Sequence, residues 1–183
     1  MSNKTIRILL VLLVTFFSYQ AQAQKLGLRT SATMLATCTP NLEVNYVLSK
    51  HVTAHVPVLY NPFVFKENSR FQQLTVMPGA RYWFSAPWLK AYVSAYAIAS
   101  RFHVGGWFDQ PYRYNGKCYG GGLGTGYSWI INNHFNIDTE IGFGVAYCDY
   151  DKCGWRENSK LYDQVKTTRI FPAKFDISLV YLF

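Results

Sequence analysis

The sequence predicts an all-β protein: an eight-stranded antiparallel transmembrane β-barrel of the outer-membrane type, preceded by a signal peptide. Apolar and polar residues alternate with a period of two along most of the chain, which is typical of strands with one apolar face. The connections between the predicted strands are mostly short and long in turn, as in outer-membrane barrels. The last alternating strand ends on an aromatic residue, Phe183.

The composition excludes several other classes of protein. Half of the 183 residues are hydrophobic, 17% are aromatic and 15% are charged, yet the mean hydropathy is −0.02. So few charges argue against intrinsic disorder, and so many aromatics argue against a coiled coil or a collagen-like chain. One apolar run alone, at the N-terminus, approaches the roughly 18 residues of a membrane-spanning helix. The remaining apolar surface must therefore be distributed over shorter elements.

The N-terminus has the pattern of a secretory signal. Lys4 and Arg7 precede an apolar run over 8–17, and a small-x-small cleavage motif, Ala-Gln-Ala, follows. We therefore predict a signal peptide over 1–23 and one barrel domain over 24–183. A membrane anchor is the weaker interpretation, because the run is short and the cleavage motif follows it directly. Export permits disulfides.

Turn signals divide the mature chain into eight strands. The connections after the second, fourth and sixth strands are short, those after the fifth and seventh are long and polar, and that after the third is intermediate. The connection after the first strand, at 38–40, is also short and breaks the trend. The predicted strands lie at 26–37, 41–49, 52–64, 71–84, 89–104, 118–131, 135–148 and 169–183.

The last strand shows most clearly that one face is apolar. That face is predicted to carry Phe171, Ala173, Phe175, Ile177, Leu179, Tyr181 and Phe183. In a soluble sandwich such a face packs inward, whereas in a membrane barrel it meets lipid and the polar face lines the lumen. Aromatics near strand ends, such as Trp83 and Trp88 at one rim, favour the barrel, because aromatic girdles lie at the membrane interfaces. We interpret Leu179, Tyr181 and Phe183 as a C-terminal assembly signal read by the outer-membrane assembly machinery.

The polar face of the strands predicts a charged lumen. An eight-stranded barrel is only wide enough for its side chains to fill the interior. We therefore expect the lumen to be plugged by paired charges that fix register; a proton path or a small pore is the alternative. The predicted lumen network comprises Arg29, Glu43, Asn45, His55, Arg81, Asp138, Glu140, Lys174 and Asp176.

Two features concern the phase of neighbouring strands. In the fifth strand both sets of alternate positions are apolar, so its phase stays open between outward Tyr92, Tyr96, Ile98 and Phe102 and the opposite orientation. The glycines within 120–126 alternate with the lumen phase. They are predicted to leave room for bulky interior side chains such as Arg81 or tyrosines, not to bind nucleotides, because a phosphate-binding loop needs a following helix.

Motifs in a fixed order resemble a known family. The sequence is similar to the outer-membrane barrels catalogued as domain of unknown function 3575. That resemblance implies a Gram-negative outer membrane and supplies no biochemical activity. The matching motifs are Thr39-Pro40-Asn41-Leu42, Gly79-x-Arg81-Tyr82-Trp83, Tyr119-Gly120-x-Gly122-x-x-x-Gly126-Tyr127-x-Trp129-Ile130, Ile141-Gly142-x-Gly144, Asp149-Tyr150-Asp151-Lys152 and Pro172-x-Lys174-x-x-Ile177-Ser178-Leu179-x-Tyr181.

All four cysteines are expected at the outer rim of the barrel. Four cysteines allow three connectivities. We favour a Cys148–Cys153 disulfide, which leaves Cys38 and Cys118; a Cys118–Cys148 bridge competes, because these residues end adjacent strands. Free thiols or a zinc site are further alternatives, the zinc site being weak because no histidine lies at a ligand spacing.

Catalytic chemistry is not favoured by the sequence. A lipid-modifying hydrolase needs a serine, a histidine and an acid on one face. Only His103 lies near the predicted outer rim, and Ser100 is on the opposite face of its strand. We therefore expect no enzyme, no cofactor and no metal.

The outer loops interleave aromatics with cations, a pattern suited to glycans, proteins or anionic lipopolysaccharide. The surface-binding candidates are Trp107, Phe108, Tyr112, Arg113, Tyr114, Trp155 and Arg156.

The expected function is a non-enzymatic outer-membrane protein with both mature termini in the periplasm, serving as a structural or surface-binding accessory of the envelope. Expected partners are outer-membrane lipids and lipopolysaccharide, the assembly machinery and other envelope proteins, but not nucleic acid. The alternatives are a lipid A-modifying enzyme and a soluble secreted barrel that binds a small apolar ligand.

Overall fold

The computed structural model describes residues 25–63, 70–105, 112–154 and 161–183. These residues form nine strand segments and one five-residue helix. None of the described helical residues belongs to a helix long and apolar enough to span a membrane. The elements are β1 (Leu26–Ser31), α1 (Ala32–Ala36), β2 (Asn41–Val47), β3 (Val52–Asn61), β4 (Arg70–Val76), β5 (Gly79–Trp83), β6 (Lys90–Gly105), β7 (Tyr112–Ile130), β8 (Phe135–Gly154) and β9 (Leu161–Leu182).

The segments close into a barrel of eight antiparallel strands. β4 and β5 are two halves of one strand, because both pair with β3 and β6 in an unbroken register. The interruption is at Met77 and Pro78, where proline has no N–H to donate to the ladder. The Pro78 carbonyl still accepts from the Ala97 amide at 2.9 Å. β1 pairs with β9 and closes the ring, so the predicted all-β, eight-stranded antiparallel barrel is confirmed.

The strands are staggered around the barrel. If cross-strand partners are followed once around the ring from Leu182 of β9, the path returns to β9 at Phe171. The start and the end of this path are 11 residues apart. Such a stagger tilts the strands against the barrel axis. The path runs through Leu182, Gly27, Asn45, His55, Gly79, Tyr96, Gly122, Gly144 and Phe171.

The barrel wall is taller on one side than on the other. β6 to β9 have 16 to 22 residues, whereas β1 and β2 have six and seven. Several predicted boundaries were therefore wrong: the sixth strand begins at 112, the seventh ends at 154 and the eighth begins at 161. Backbone pairing continues beyond the apolar alternation, because ladder hydrogen bonds do not require apolar side chains.

The predicted first strand, 26–37, ends at Ser31 and continues as α1. The Ser31 hydroxyl caps this helix by accepting from the Met34 amide at 3.1 Å. The part of β9 that precedes Ser178 pairs only with β8 among the described residues, because β1 ends opposite Ser178. On its other side, α1 packs against β9.

Tyr92 and Tyr96 of β6 point into the barrel, which resolves the open phase of this strand. The orientation with both tyrosines outward was wrong. Glycines of β7 clear the space for them: a Cβ on Gly126 would meet the Tyr92 ring, and one on Gly122 would meet the Tyr96 ring. The tyrosines, rather than Arg81, therefore fill the room that the glycines leave.

A β-bulge changes the outward face of β9. The register with β8 shifts between Gly142 and Phe143, so an extra residue of β9 lies opposite this step. The prediction that Phe171 and Ala173 share the face of Phe175 was wrong, because both pack against interior residues. Ile170 takes the outward position and is 78% exposed.

Two apolar clusters occupy the interior at different heights. The lower cluster comprises Trp83, Trp88, Tyr92, Val180 and Leu182, at the end with the short turns. The upper cluster comprises Leu59, Met77, Tyr96 and Ile98 and includes packed Met34, Phe171 and Ala173. Trp83 and Trp88, predicted at the rim, lie inside; the Trp83 indole donates to the Thr53 hydroxyl at 3.0 Å.

The fit between glycines and tyrosines predicts the effect of a single methyl group. Gly126→Ala places a Cβ against the Tyr92 ring and the Thr139 carbonyl, so we expect a loss of about 1–3 kcal/mol in the free energy of unfolding. Gly121→Ala is the matched control, because the nearest atom to its Cβ is the Tyr96 carbonyl oxygen at 3.2 Å. Urea unfolding followed by tryptophan fluorescence measures both; equal losses would contradict the packing argument.

Candidate functional site

The interior of the barrel contains a group of buried charged residues. All nine residues of the predicted lumen network project into the barrel; Asp176 is half-buried and the others are almost fully buried. They come from β1, β2, β3, β5, β8 and β9, so the barrel brings together charges that are far apart in sequence. The interior charge network consists of Arg29, Arg81, Lys174, Glu43, Asp138, Glu140 and Asp176.

Glu140 is the centre of this network. Its Oε2 accepts from Arg29 Nη1 at 2.9 Å and from Arg81 Nη2 at 3.0 Å. Its Oε1 accepts from Lys174 Nζ at 2.9 Å and from Ser94 Oγ at 2.8 Å. Three cations from three strands therefore converge on one buried carboxylate.

The other carboxylates surround the two arginines. Glu43 lies 2.7 Å from Arg81 Nη1, and Asp176 accepts from Arg29 Nη2 at 3.2 Å. Asp138 is 4.0 Å from Arg29 Nη1. A buried charge is costly unless partners and further hydrogen bonds satisfy it, so these pairs are mutually dependent.

Asp176 connects the network to the beginning of α1. Its carboxylate accepts from the Thr33 and Ser178 hydroxyls, each at 2.9 Å, and also from the Ser31 hydroxyl. Ser31 is the N-cap of α1, so the position of the helix is coupled to the interior charges.

Aromatic rings separate the charges from both ends of the barrel. The Arg81 guanidinium lies 5.4 Å from the centroid of the Tyr92 ring, and Lys174 Nζ lies 4.5 Å from that of Tyr96. Tyr92 belongs to the lower cluster and Tyr96 to the upper cluster. A cavity beside the network has a volume of about 30 Å³, which is space for about one water. This geometry holds charges in fixed positions and leaves no room for a larger ligand there.

His55 is buried in the lumen but is not bound into the network. Neither ring nitrogen has a hydrogen-bond partner among the described residues. Its Cα partners are Asn45 and Gly79, and Asn45 accepts from Arg81 Nη1. His55 therefore lies beside the charges without pairing with them.

Sequence reasoning missed Ser94, Tyr92 and Tyr96 as members of the site. Each touches a charged member of the network from β6, whose phase the alanine-rich pattern left open. The spacing of the β7 glycines could have identified these residues, because the space that a glycine leaves in the interior is opposite one of these β6 side chains.

The favoured Cys148–Cys153 disulfide was wrong, and the competing Cys118–Cys148 bridge is present. Cys118 and Cys148 are direct cross-strand partners with Cα atoms 4.1 Å apart. Cys148 and Cys153 lie five residues apart on β8, about 16 Å for an extended strand, and a disulfide needs about 4–7 Å. Cys38 and Cys153 are free. The described residues contain no group of three or more His, Cys, Asp or Glu side chains arranged for a metal ion.

The surface-binding candidates are only partly within the described chain. Trp107, Phe108, Trp155 and Arg156 lie outside the described residues. Tyr112, Arg113 and Tyr114 lie on β7 rather than in a loop, because the β7–β8 ladder extends this far. Arg113 is buried, so its prediction as an exposed contact was wrong. Tyr114 packs against Tyr150, with ring centroids 5.8 Å apart.

The C-terminal residues form an outward aromatic group at the end of β9. Leu179 and Tyr181 are exposed, and the Tyr181 and Phe183 rings are 4.9 Å apart. Recognition of these C-terminal residues by the assembly machinery remains a prediction.

Almost the whole chain matches a known protein family. A family of proteins of unknown function, DUF3575, matches residues 7–183. The chain belongs to the DUF3575 family. The predicted resemblance is thereby confirmed at the level of the family. No curated protein and no solved structure matches the chain. The description of the DUF3575 family carries no activity.

Removal of the central carboxylate should destabilise the barrel strongly. Glu140→Gln leaves three buried cations around a neutral amide of similar volume, so we expect a loss of about 3–5 kcal/mol in the free energy of unfolding. Asp149→Asn is the matched control, because the Asp149–Lys166 pair at 3.8 Å is about half exposed and should contribute at most about 1 kcal/mol. Urea unfolding compares the two variants; equal small effects would exclude Glu140 as the organising charge.

The observed cysteine pairing can be mapped directly. Digestion without reduction should yield one linked peptide pair containing Cys118 and Cys148. Serine at both positions should lower the free energy of unfolding by about 2–4 kcal/mol, since the bridge closes a 30-residue loop. Serine at Cys38 and Cys153, both free, is the control and should leave stability unchanged. A linked peptide containing Cys153 would contradict the assignment.

Proposed function

We propose that this DUF3575 barrel is an exported, non-enzymatic outer-membrane protein with a plugged polar lumen, acting as a structural or surface-binding component of the envelope. The proposal includes removal of the signal peptide at 1–23 and periplasmic positions for both mature termini. Its partners would be outer-membrane lipids, the assembly machinery and other envelope molecules.

The observation that carries this proposal is a continuous apolar band on the outside of the barrel. A soluble monomer rarely exposes contiguous apolar patches larger than a few hundred Å². On β7 to β9 alone the exposed members of this band are Tyr119, Leu123, Tyr127, Trp129, Ile137, Ile141, Phe143, Val145, Tyr147, Ile170, Phe175, Ile177, Leu179 and Tyr181.

The height of the apolar band supports a membrane environment. Its lower limit on β7 is Trp129 and its upper limit is Tyr119, 10 residues farther up the strand. At about 3.3 Å per residue and a tilt of about 40°, this length corresponds to a height of about 25 Å, the usual height of an outer-membrane band. Aromatics at both limits, with Tyr147 beside Tyr119 and Phe135 beside Tyr181, are typical of interfacial girdles.

The distribution of charge favours the membrane over a soluble secreted barrel. Charged residues of the network face inward while apolar side chains face outward, the reverse of a water-soluble protein. A soluble barrel for a small apolar ligand would need an apolar cavity. The space beside the network is only about 30 Å³, and charged Arg29, Glu43 and Lys174 border it together with apolar side chains of the upper cluster.

The positions of Ser100 and His103 do not favour the lipid-modifying enzyme. Ser100 lies on the interior face, where its hydroxyl is 2.7 Å from the Thr75 hydroxyl. His103 is three residues from Ser100 on the same strand, so its side chain lies on the opposite face. A nucleophile and a base on opposite faces do not form one reaction centre.

Cell fractionation tests the location directly. We expect the full chain in the outer-membrane fraction, shortened at its N-terminus after residue 23, and extracted by detergent as a species whose gel mobility changes on boiling. Recovery of the folded chain in the soluble fraction without detergent would overturn the proposal.

A charged substitution in the apolar band distinguishes a barrel surrounded by lipid from one surrounded by water. Leu123, 71% exposed, lies near the middle of the band, so Leu123→Arg should cost about 2–4 kcal/mol in lipid vesicles. Asn115→Arg, on the same face beyond the band, is the matched control and should be nearly neutral. If water surrounds the barrel, both exposed substitutions should be equally harmless in refolding assays.

A further inference from the structure

We propose that Arg101 and Lys117 form a binding site for a phosphate group of an outer-leaflet lipid. This inference rests on the membrane location proposed above, and it names a ligand class for a surface that is not part of the interior charge network.

The site lies in a row of charges immediately beyond the apolar band. Arg101 of β6, Lys117 of β7, Asp149 of β8 and Lys166 of β9 are successive cross-strand partners. Lys117 and Asp149 are each two residues from the upper aromatic limit of the band, Tyr119 and Tyr147. The row therefore faces the level at which lipid headgroups meet the barrel.

The pairing within this row leaves one end positive. Asp149 lies 3.8 Å from Lys166, and both side chains are about half exposed. Among the described residues, neither Arg101 nor Lys117 has a carboxylate within 4 Å. Like charges directly opposite each other across two strands are destabilising, at a Cβ separation of about 4.5–5.5 Å. A bound anion between them would relieve that repulsion.

The surface between these side chains is concave. A depression of about 420 Å³ is bordered by Arg101, Lys117, Tyr119 and Tyr147 on its band side. Asp149 and Asp151 also border it, so the positive part is confined to Arg101 and Lys117. Its volume is in the range of small-molecule sites, large enough for a phosphorylated headgroup, and the two carboxylates would repel an extended acidic peptide.

The two cations have complementary roles in phosphate binding. A guanidinium presents a planar fork of donors that matches two phosphate oxygens, and an ammonium adds a compact point charge. The exposed rings of Tyr119 and Tyr147 lie on the band side of both cations, where the sugar or glycerol part of a lipid headgroup would contact them.

The test measures binding of a defined lipid to the folded, detergent-solubilised barrel by native mass spectrometry. The probe is a bisphosphorylated glucosamine-disaccharide lipid, compared with the same lipid after enzymatic removal of its phosphates. We expect Arg101→Gln/Lys117→Gln to weaken binding of the phosphorylated lipid about 30-fold, with each single variant intermediate, and to leave the dephosphorylated lipid unaffected. The matched control is Lys25→Gln/Lys50→Gln, which removes two exposed cations at the other end of the barrel.

Three outcomes would overturn the inference. These are unchanged binding by the double variant, an equal loss in the control, or displacement of the lipid by inorganic phosphate at equal concentration, which would indicate a free-anion site. Heat-dependent gel mobility verifies that each variant is folded. A chain that fractionates as a soluble protein would refute the proposed function, whereas an inserted barrel indifferent to lipid phosphate would refute this inference alone.

Discussion

The convergence of Arg29, Arg81 and Lys174 on Glu140 is the interaction on which the rest of the barrel depends. These hydrogen bonds join residues 111, 59 and 34 positions apart in sequence, and those from Arg29 and Arg81 reach Glu140 from strands that are not neighbours of β8 in the ring. In a low-dielectric interior a charge without its partner is far more costly than in water. The network therefore specifies one closed arrangement and penalises slipped registers that would separate the charges.

A second constraint is the fit of side-chain volumes above and below the charges. Tyr92 and Tyr96 lie over glycines of β7, so the same two rings close the lower and upper clusters and contact Arg81 and Lys174. The interior is consequently filled by its own side chains. That filling leaves little free volume beside the interior charge network.

The sequence anticipated much of the site because the faces of a strand alternate with a fixed period. Glu43, Asp138 and Glu140 were assigned to the lumen from that alternation alone, and they lie there. It could not place Tyr92, because β6 is apolar at both sets of positions. It also misplaced Phe171, since a bulge adds one residue to β9 and reverses the phase above it.

The sequence by itself determined that this chain is built of alternating strands with one apolar and one charged surface, and it identified the family. Only the tertiary structure decided which strands lie side by side and in which register. That register joined Cys118 to Cys148 rather than Cys148 to Cys153, and it put Arg101 opposite Lys117. The physical reason is that alternation is a local property of one strand, whereas partners are selected by backbone pairing and packing across the whole ring.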